Sequence, residues 1–185
     1  MTGLFGGAFD PPHNGHVALA KTAIDRFGLE RLLVLVVADP GHRGVHLGYE
    51  SRFRLAELAF GGLPRTEVRP EEHRFTVDAV RGKRFGEAIF LVGADEFAGF
   101  LSWKDPDGVL GEVRLAVATR PGFPESVLEG VLNGLEEPER VTFFEIPAWP
   151  VSGTEIRARL ARGERVGGLV PDAVAREIDR TSLYR

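Results

Sequence analysis

Apolar positions along this chain follow two alternating patterns. Short runs without polar alternation recur near residues 2–5, 31–38, 88–92, 113–118 and 141–146, and stretches with apolar residues three or four apart lie between them. Residues 2–5 predict a strand, and Val17, Ala20, Ile24 and Phe27 predict a helix closed by Gly28. The Leu-Leu-Val-Leu-Val-Val run within 31–38 reads as a strand covered on both faces, as in a parallel sheet. An irregular stretch over 39–49 leads to a second helix carrying Phe53, Leu55, Ala56, Leu58 and Ala59, a short strand over 64–69 and a helix over 75–81. The strand at 88–92 runs into Gly93-Ala94-Asp95, a further strand-to-helix junction. Strand 113–118, helix 125–135 and strand 141–146 follow. A helix with Ile156 and Leu160 one turn apart breaks at Gly167-Gly168, and Pro171 opens a last short helix. Strands alternating with helices predict an α/β fold with a doubly wound parallel sheet. Ligands of such sheets bind at the carboxyl ends of the strands, near the switch in strand order.

Length and composition narrow the class. At 185 residues the chain suits a single domain over 1–185, with 151–185 as a carboxyl-terminal helical part. Its 43% apolar and 27% charged residues exclude a disordered or fibrous protein. The longest apolar run covers only 32–38, far below the roughly 20 residues a bilayer-spanning helix needs, so no membrane association is expected. The amino terminus enters Gly3-Leu4-Phe5-Gly6-Gly7 without a charged and then apolar leader pattern, so a cytoplasmic address is expected. The absence of cysteine removes disulfides, thiolate metal sites and cysteine nucleophiles together. A net charge of −4 argues against a nucleic-acid partner. Lys21, Lys83 and Lys104 are the only lysines, so positive charge is carried mostly by guanidinium groups suited to phosphate and carboxylate. The composition is compatible with a homo-oligomer.

The densest polar cluster, Gly6-Gly7-Ala8-Phe9-Asp10-Pro11-Pro12-His13-Asn14-Gly15-His16, lies between the first strand and its helix. The glycines remove Cβ atoms where a phosphate chain could approach main-chain N–H groups, and the helix start adds unpaired donors and a positive dipole end. His13 and His16, three apart in the first turn, can face one side. The order of glycines is neither G-x-G-x-x-G nor a P-loop. Two other readings remain open at this point. The glycines can form a tight turn with His13 merely capping the helix, or Asp10, His13 and His16 can form a metal triad completed by Asp39, His42 or His46.

The cluster resembles the GG-x-FDP-x-H-x-GH signature of the nucleotidylyltransferase superfamily, and Val151-Ser152-Gly153-Thr154-Glu155-Ile156-Arg157 is similar to its second signature, IS-[ST]-T-x-IR. Within that superfamily the chain looks like the bacterial nicotinate-nucleotide adenylyltransferases. The segments carrying this finer likeness are Pro40-Gly41-His42-Arg43, residues 72–80, Gly93-Ala94-Asp95 with Trp103, Arg120-Pro121-Gly122, and the ending Leu169-Val170-Pro171 with Leu183-Tyr184. Gly153 stands where the family has a serine, Phe75 where it has tyrosine and Ala79 where it has threonine, and the loop over 41–48 is unlike the family's.

The resemblance implies a Rossmann-like nucleotidyltransferase fold and adenylyl transfer from ATP to nicotinate mononucleotide, with Mg²⁺ arriving on ATP and no protein metal site. It implies that His13, His16 and Arg157 are catalytic and that Gly6, Gly7, Phe9, Asp95, Ser152 and Thr154 bind ATP. By the same likeness Arg43, Thr76 and Trp103 bind the mononucleotide. A nicotinamide preference, or a sensing module that has lost turnover, stays compatible with the same motifs.

Overall fold

The computed structural model describes residues 1–41 and 44–184. Six strands, β1 (Thr2–Gly7), β2 (Arg31–Val37), β3 (Thr66–Glu71), β4 (Ala88–Gly93), β5 (Arg114–Thr119) and β6 (Val141–Glu145), pair in the order β3-β2-β1-β4-β5-β6. Every pairing is parallel. This is the doubly wound order, reversing direction between β1 and β4. The helices are α1 (Asn14–Arg26), α2 (Tyr49–Phe60), α3 (Thr76–Val80), α4 (Ala94–Phe97), α5 (Pro106–Glu112), α6 (Glu125–Leu132), α7 (Gly153–Ala161) and α8 (Asp172–Thr181).

The unbroken apolar runs are explained by burial on both faces. On β2, Leu32, Val34 and Val36 join one core with Ile24 of α1, Phe60 of α2, Ile156 and Leu160 of α7, and Val174 and Ile178 of α8. The intervening Leu33 and Leu35 join the opposite core with Val77 of α3, Phe97 of α4, Val109 and Leu110 of α5, and Leu128 and Val131 of α6. Each such side chain contributes about 1.5–3 kcal/mol relative to leaving it in water. Among the described residues no helix is long and apolar enough to cross a membrane.

The structure departs from the sequence pattern in a few places. β1 runs two residues further than expected, taking Gly6 and Gly7 into the sheet through their pairing with Leu35 and Val36. The helix expected over 125–135 closes at Leu132, and that over 75–81 is the five-residue α3, followed by a turn through Gly82 at φ 71°. α5 had no counterpart in the expected elements. Its signals were present in Asp105, whose carboxylate accepts from the Gly108 N–H at 3.0 Å, and in Pro106 at the first helical position.

One polar side chain lies at the centre of this arrangement. Arg52 of α2 is 1% exposed, and its guanidinium donates to the carbonyls of Ala8, Val37 and Ala38, each at 2.9 Å, and of Leu47 at 3.2 Å. The segments that leave β1 and β2 and the segment that enters α2 are thereby held to one group. Burial lowers the Arg52 pKa from its ordinary value. Arg52→Met would leave buried carbonyls without donors, at a cost of about 3–5 kcal/mol in total. For a domain of this size that corresponds to a fall in Tm of roughly 10 °C. Thermal denaturation followed by circular dichroism checks this, and a fall under about 3 °C contradicts it.

Candidate active site

The switch in strand order opens the site. β1 pairs with β2 along its whole length, to Gly7↔Val36, but with β4 only as far as Leu4↔Phe90. Beyond that point the two central strands part, and a crevice forms between the end of β1 and residues 91–95. Gly6 and Gly7 stand at its floor. A Cβ on Gly6 would lie 3.0 Å from the Phe90 ring, and one on Gly7 3.0 Å from the Phe9 ring. These glycines therefore admit two aromatic rings as well as leaving main chain open to a ligand. Phe9 reaches that position with φ at +50°, which turns its ring into the core against Phe5, Phe60 and His16.

The loop after β1 ends in an unusual cap. His13 is the N-cap of α1, where its Nδ1 accepts from the His16 N–H, and the His16 Nδ1 accepts from the His13 N–H at 3.2 Å. This is the reciprocal pattern of a capping box, built from two imidazoles. The rings stack at 3.7 Å between centroids with 20° between planes. Gly15 makes this geometry fit, because a Cβ there would lie 3.1 Å from the His13 Nδ1. Burial pushes the His13 pKa down to about 4, and burial together with neighbouring His13 holds His16 well below its ordinary value. Both rings are therefore neutral at pH 7. With each Nδ1 accepting, the proton of each ring resides on Nε2, and the pair can offer two neutral donors to an anion. Both residues line the crevice.

Asp10 joins this loop to distant parts of the chain. Its carboxylate is 8% exposed as a residue and accepts from the His46 N–H and, at 2.6 Å, from the Tyr184 hydroxyl. Burial and the Asp10 carboxylate push the Tyr184 phenol pKa upward. The Asp10 carbonyl accepts from Arg157 Nη1 at 2.8 Å, while Arg157 Nη2 donates to the Thr154 hydroxyl at 3.1 Å. Asn14 completes the join, its N–H donating to the Leu169 carbonyl at 2.9 Å and its amide to the Gly168 carbonyl at 2.8 Å. With Asp10 so engaged, the metal-triad reading finds no support in the geometry. Among the described residues no three His, Asp or Glu side chains gather as metal ligands. His42, invoked as a further ligand, lies outside the described residues.

The second signature forms the start of α7. Ser152 is the N-cap, its hydroxyl accepting from the Glu155 N–H at 3.2 Å. A Cβ on Gly153 would lie 3.1 Å from Arg157 Nη1 and 3.6 Å from the Asp10 carbonyl. The missing side chain at 153 thus leaves room for the guanidinium to reach the β1–α1 loop. Ser152, Gly153, Thr154 and Arg157 line the same crevice as Gly6, Gly7, His13 and His16, in a cavity of about 500 Å³.

A neighbouring cavity of about 520 Å³ adjoins it and holds Thr76 and Phe75 of the α3 start, Arg74 and Lys104. Gly6, Gly7, Ala8, Phe90, Asp95 and Trp103 line both cavities, which makes them two lobes with a shared wall. Trp103 packs edge-on against Phe100 at 5.1 Å and Phe90 at 6.3 Å. Asp95 is paired with Arg120 Nη2 at 3.2 Å. Arg43, expected in the second lobe, lies outside the described residues. The sequence pattern did not single out Arg74, Lys104 or Trp149 as lining residues. Arg74 lies within the family-like segment 72–80 without a role assigned to it, and Lys104 directly follows the singled-out Trp103.

A crevice outside the carboxyl ends of parallel strands, at the reversal of strand order, is the binding region of nucleotide-binding α/β proteins. Residues 4–159 match the model of the cytidylyltransferase-like family. The chain is 36% identical to the Bordetella petrii protein named "Probable nicotinate-nucleotide adenylyltransferase", over 99% of this chain and 98% of the relative. It is 37% identical to the Bordetella pertussis protein of the same name, over 99% and 97%. The chain therefore belongs to the cytidylyltransferase-like family and, within it, to the nicotinate-nucleotide adenylyltransferases. The fold matches a solved Plasmodium falciparum nicotinic acid mononucleotide adenylyltransferase complexed with NaAD, with a TM-score of 0.81 at 15% identity, over 99% of this chain and 96% of that one.

The histidine pair has a measurable signature. Both pKa values lie below 6.5, so under about pH 6.5 the unfolded chain binds more protons at these positions than the folded one. Their contribution to stability is therefore intact at neutral pH and is lost as pH falls from 6.5 toward about 4. In ¹⁵N spectra, His13 and His16 are expected to stay neutral with Nε2 protonated from pH 8 to about pH 5.5. A midpoint near pH 6.5 for either ring contradicts the assignment.

Proposed function

We propose that this protein transfers the adenylyl group of ATP to nicotinate mononucleotide, giving the deamido dinucleotide and pyrophosphate in NAD biosynthesis. The observation that carries this is the pair of nucleotide-sized lobes meeting at Gly6, Gly7 and Ala8, so that two substrates can touch over the end of β1. A phosphate oxygen of the mononucleotide attacks the α-phosphorus of ATP. The bond from that phosphorus to the bridging oxygen breaks, and pyrophosphate leaves with the electron pair. The attacking phosphate is already ionised at neutral pH, so no enzyme nucleophile is needed and the protein supplies alignment and charge stabilisation.

In this reading His13 and His16 donate from Nε2 to the triphosphate, with His16 on the α-phosphoryl oxygens that gain charge in the transition state. The N–H groups that start α7, the Ser152 and Thr154 side chains and the Arg157 guanidinium hold the departing β and γ phosphates. Gly6 and Gly7 let the chain pass close to the main chain, with Phe9 fixing the floor beneath them. Asp95 reaches a ribose or the cation that enters with ATP. That divalent cation, Mg²⁺ in our reading, comes as part of the nucleotide substrate, held by phosphate oxygens and water.

In the other lobe Trp103 stacks on the pyridine ring, Thr76 meets its substituent and Arg43 meets the mononucleotide phosphate. Arg74 and Lys104 line that lobe beside the carboxylates of Glu71, Asp95 and Glu96, and since Lys104 is paired with Asp78 at 2.8 Å, Arg74 is the guanidinium we assign to a carboxylate on the ring. The same reading makes the cytoplasm the expected place of action.

The deciding assay mixes ATP with nicotinate mononucleotide or with nicotinamide mononucleotide and follows pyrophosphate and dinucleotide. Dinucleotide formation that is faster with the nicotinate form is expected, and no product with either refutes the reading. His16→Ala is expected to lower kcat by at least about a hundredfold, the range for losing a preorganised donor. Unchanged turnover removes His16 from the mechanism. Trp103→Ala is expected to raise KM for the mononucleotide more than for ATP, because stacking acts on ground-state binding. Equal changes in both contradict its placement.

A further inference from the structure

Leu183 and Tyr184 have no part in the reaction just described, yet the Tyr184 phenol is tied to the site. α8 closes at Ser182 in the left-handed region, with φ at 53°, and Tyr184 repeats that conformation at 69°. Residues other than glycine adopt it at a cost, so a turn with two of them needs contacts that hold it. The Leu183 N–H donates back to the Ile178 carbonyl at 3.2 Å, and both side chains pack against the core that β2 shares with α7 and α8. The Tyr184 hydroxyl then donates to Asp10 Oδ1 at 2.6 Å, across 174 positions of sequence.

Asp10 is where this contact takes effect. Its other carboxylate oxygen accepts from the His46 N–H, and its carbonyl accepts from Arg157 Nη1 at 2.8 Å. Burial leaves the carboxylate only the donors that the chain provides, so losing one shifts the residue toward the other. The Asp10 carbonyl moves with such a shift, and it is one of two anchors of the Arg157 guanidinium. The second is the Thr154 hydroxyl at 3.1 Å. A guanidinium carries five N–H donors, so these two bonds fix its plane and leave donors of the same fork for phosphate. Asp10, Thr154 and Arg157 line the ATP lobe, whereas Tyr184 is not among the described residues that line either lobe. It acts at one remove from the ligand.

We infer that Tyr184 is a positioning residue for adenylyl transfer, its hydroxyl holding Asp10 so that the Asp10 carbonyl aims the Arg157 guanidinium at the departing phosphates. The inference rests on the proposed reaction and gives the segment after α8 a part in it. The phenol suits this post because burial and the Asp10 carboxylate keep its proton in place, so it remains a donor at neutral and mildly alkaline pH. Arg74, Thr76 and Trp103 of the mononucleotide lobe belong to a separate stretch of chain, so the effect is confined to the donor side.

Tyr184→Phe keeps the ring and removes only the oxygen. Circular dichroism is expected to show the native fold with Tm lowered by about 3–10 °C, as for the loss of one charge-assisted hydrogen bond. Well below that Tm, the Kd of α,β-methylene-ATP measured by calorimetry is expected to rise about five- to twentyfold, with kcat falling by a similar factor and KM for the mononucleotide changing less than about twofold. Asp10→Asn tests the route. On that background Tyr184→Phe is expected to add less than about a twofold effect, because both substitutions act through one contact. A Kd or kcat unchanged in folded Tyr184→Phe, loss of the fold in that variant, or effects of the two substitutions that multiply each overturns the assignment. If the native chain forms no dinucleotide yet Tyr184→Phe weakens the analogue about fivefold, with no further loss on Asp10→Asn, the proposed reaction fails and the tie from Tyr184 to the donor lobe stands.

Discussion

The geometry of the site depends on a single buried guanidinium. Loops that leave parallel strands carry main-chain carbonyls with no sheet partner, and burying such carbonyls without donors would destabilise the fold. Arg52 supplies donors to four of them at once, from the exits of β1 and β2 and the approach to α2. A rigid planar fork can do this where a lysine ammonium, as a single point, cannot. The loop that carries Phe9, Asp10 and His13 therefore starts from a fixed anchor, Ala8. The functional groups are placed by polar satisfaction of the backbone as much as by the core.

From that anchor a second set of bonds draws the carboxyl-terminal elements inward. Asp10 accepts from Tyr184 at one carboxylate oxygen and from Arg157 at its carbonyl, and Asn14 reaches residues 168 and 169. Two stretches about 140 residues apart thereby face one cavity, the first through its stacked imidazoles and the second through the start of α7. The histidines take part in the same economy of hydrogen bonds. Each caps the helix through one ring nitrogen and keeps the other for a ligand, so the local fold and the chemistry share the same two side chains.

Much of this was readable in the residues. Strands buried on both faces appear as unbroken apolar runs, which made β2, β4 and β5 plain, and the alternation of strands with amphipathic stretches implied the sheet. The two signatures named the elements that converge. Other features had no local signal. Arg52 lies in a stretch whose apolar spacing suggests an ordinary amphipathic helix, where an arginine reads as solvated, and its burial follows only from where three loops meet. Gly6 and Gly7 extend β1 despite poor strand propensity, because pairing with β2 outweighs it. Trp149 likewise enters the lining of the crevice only because the fold sets it across from Gly15, far away in sequence.

The early parting of β1 from β4 has a further consequence. A sheet is usually knit most tightly along its middle, yet here the seam between the halves is left undone from Phe5 onward, at the spot where the reactants are to meet. Main-chain groups that a neighbouring strand would otherwise occupy are released for visitors, so whatever lodges there acts as a temporary stitch. Cohesion of the two halves and grip on the nucleotide then draw on a common stock of amides, and a tighter seam would come at the expense of the binding it makes room for.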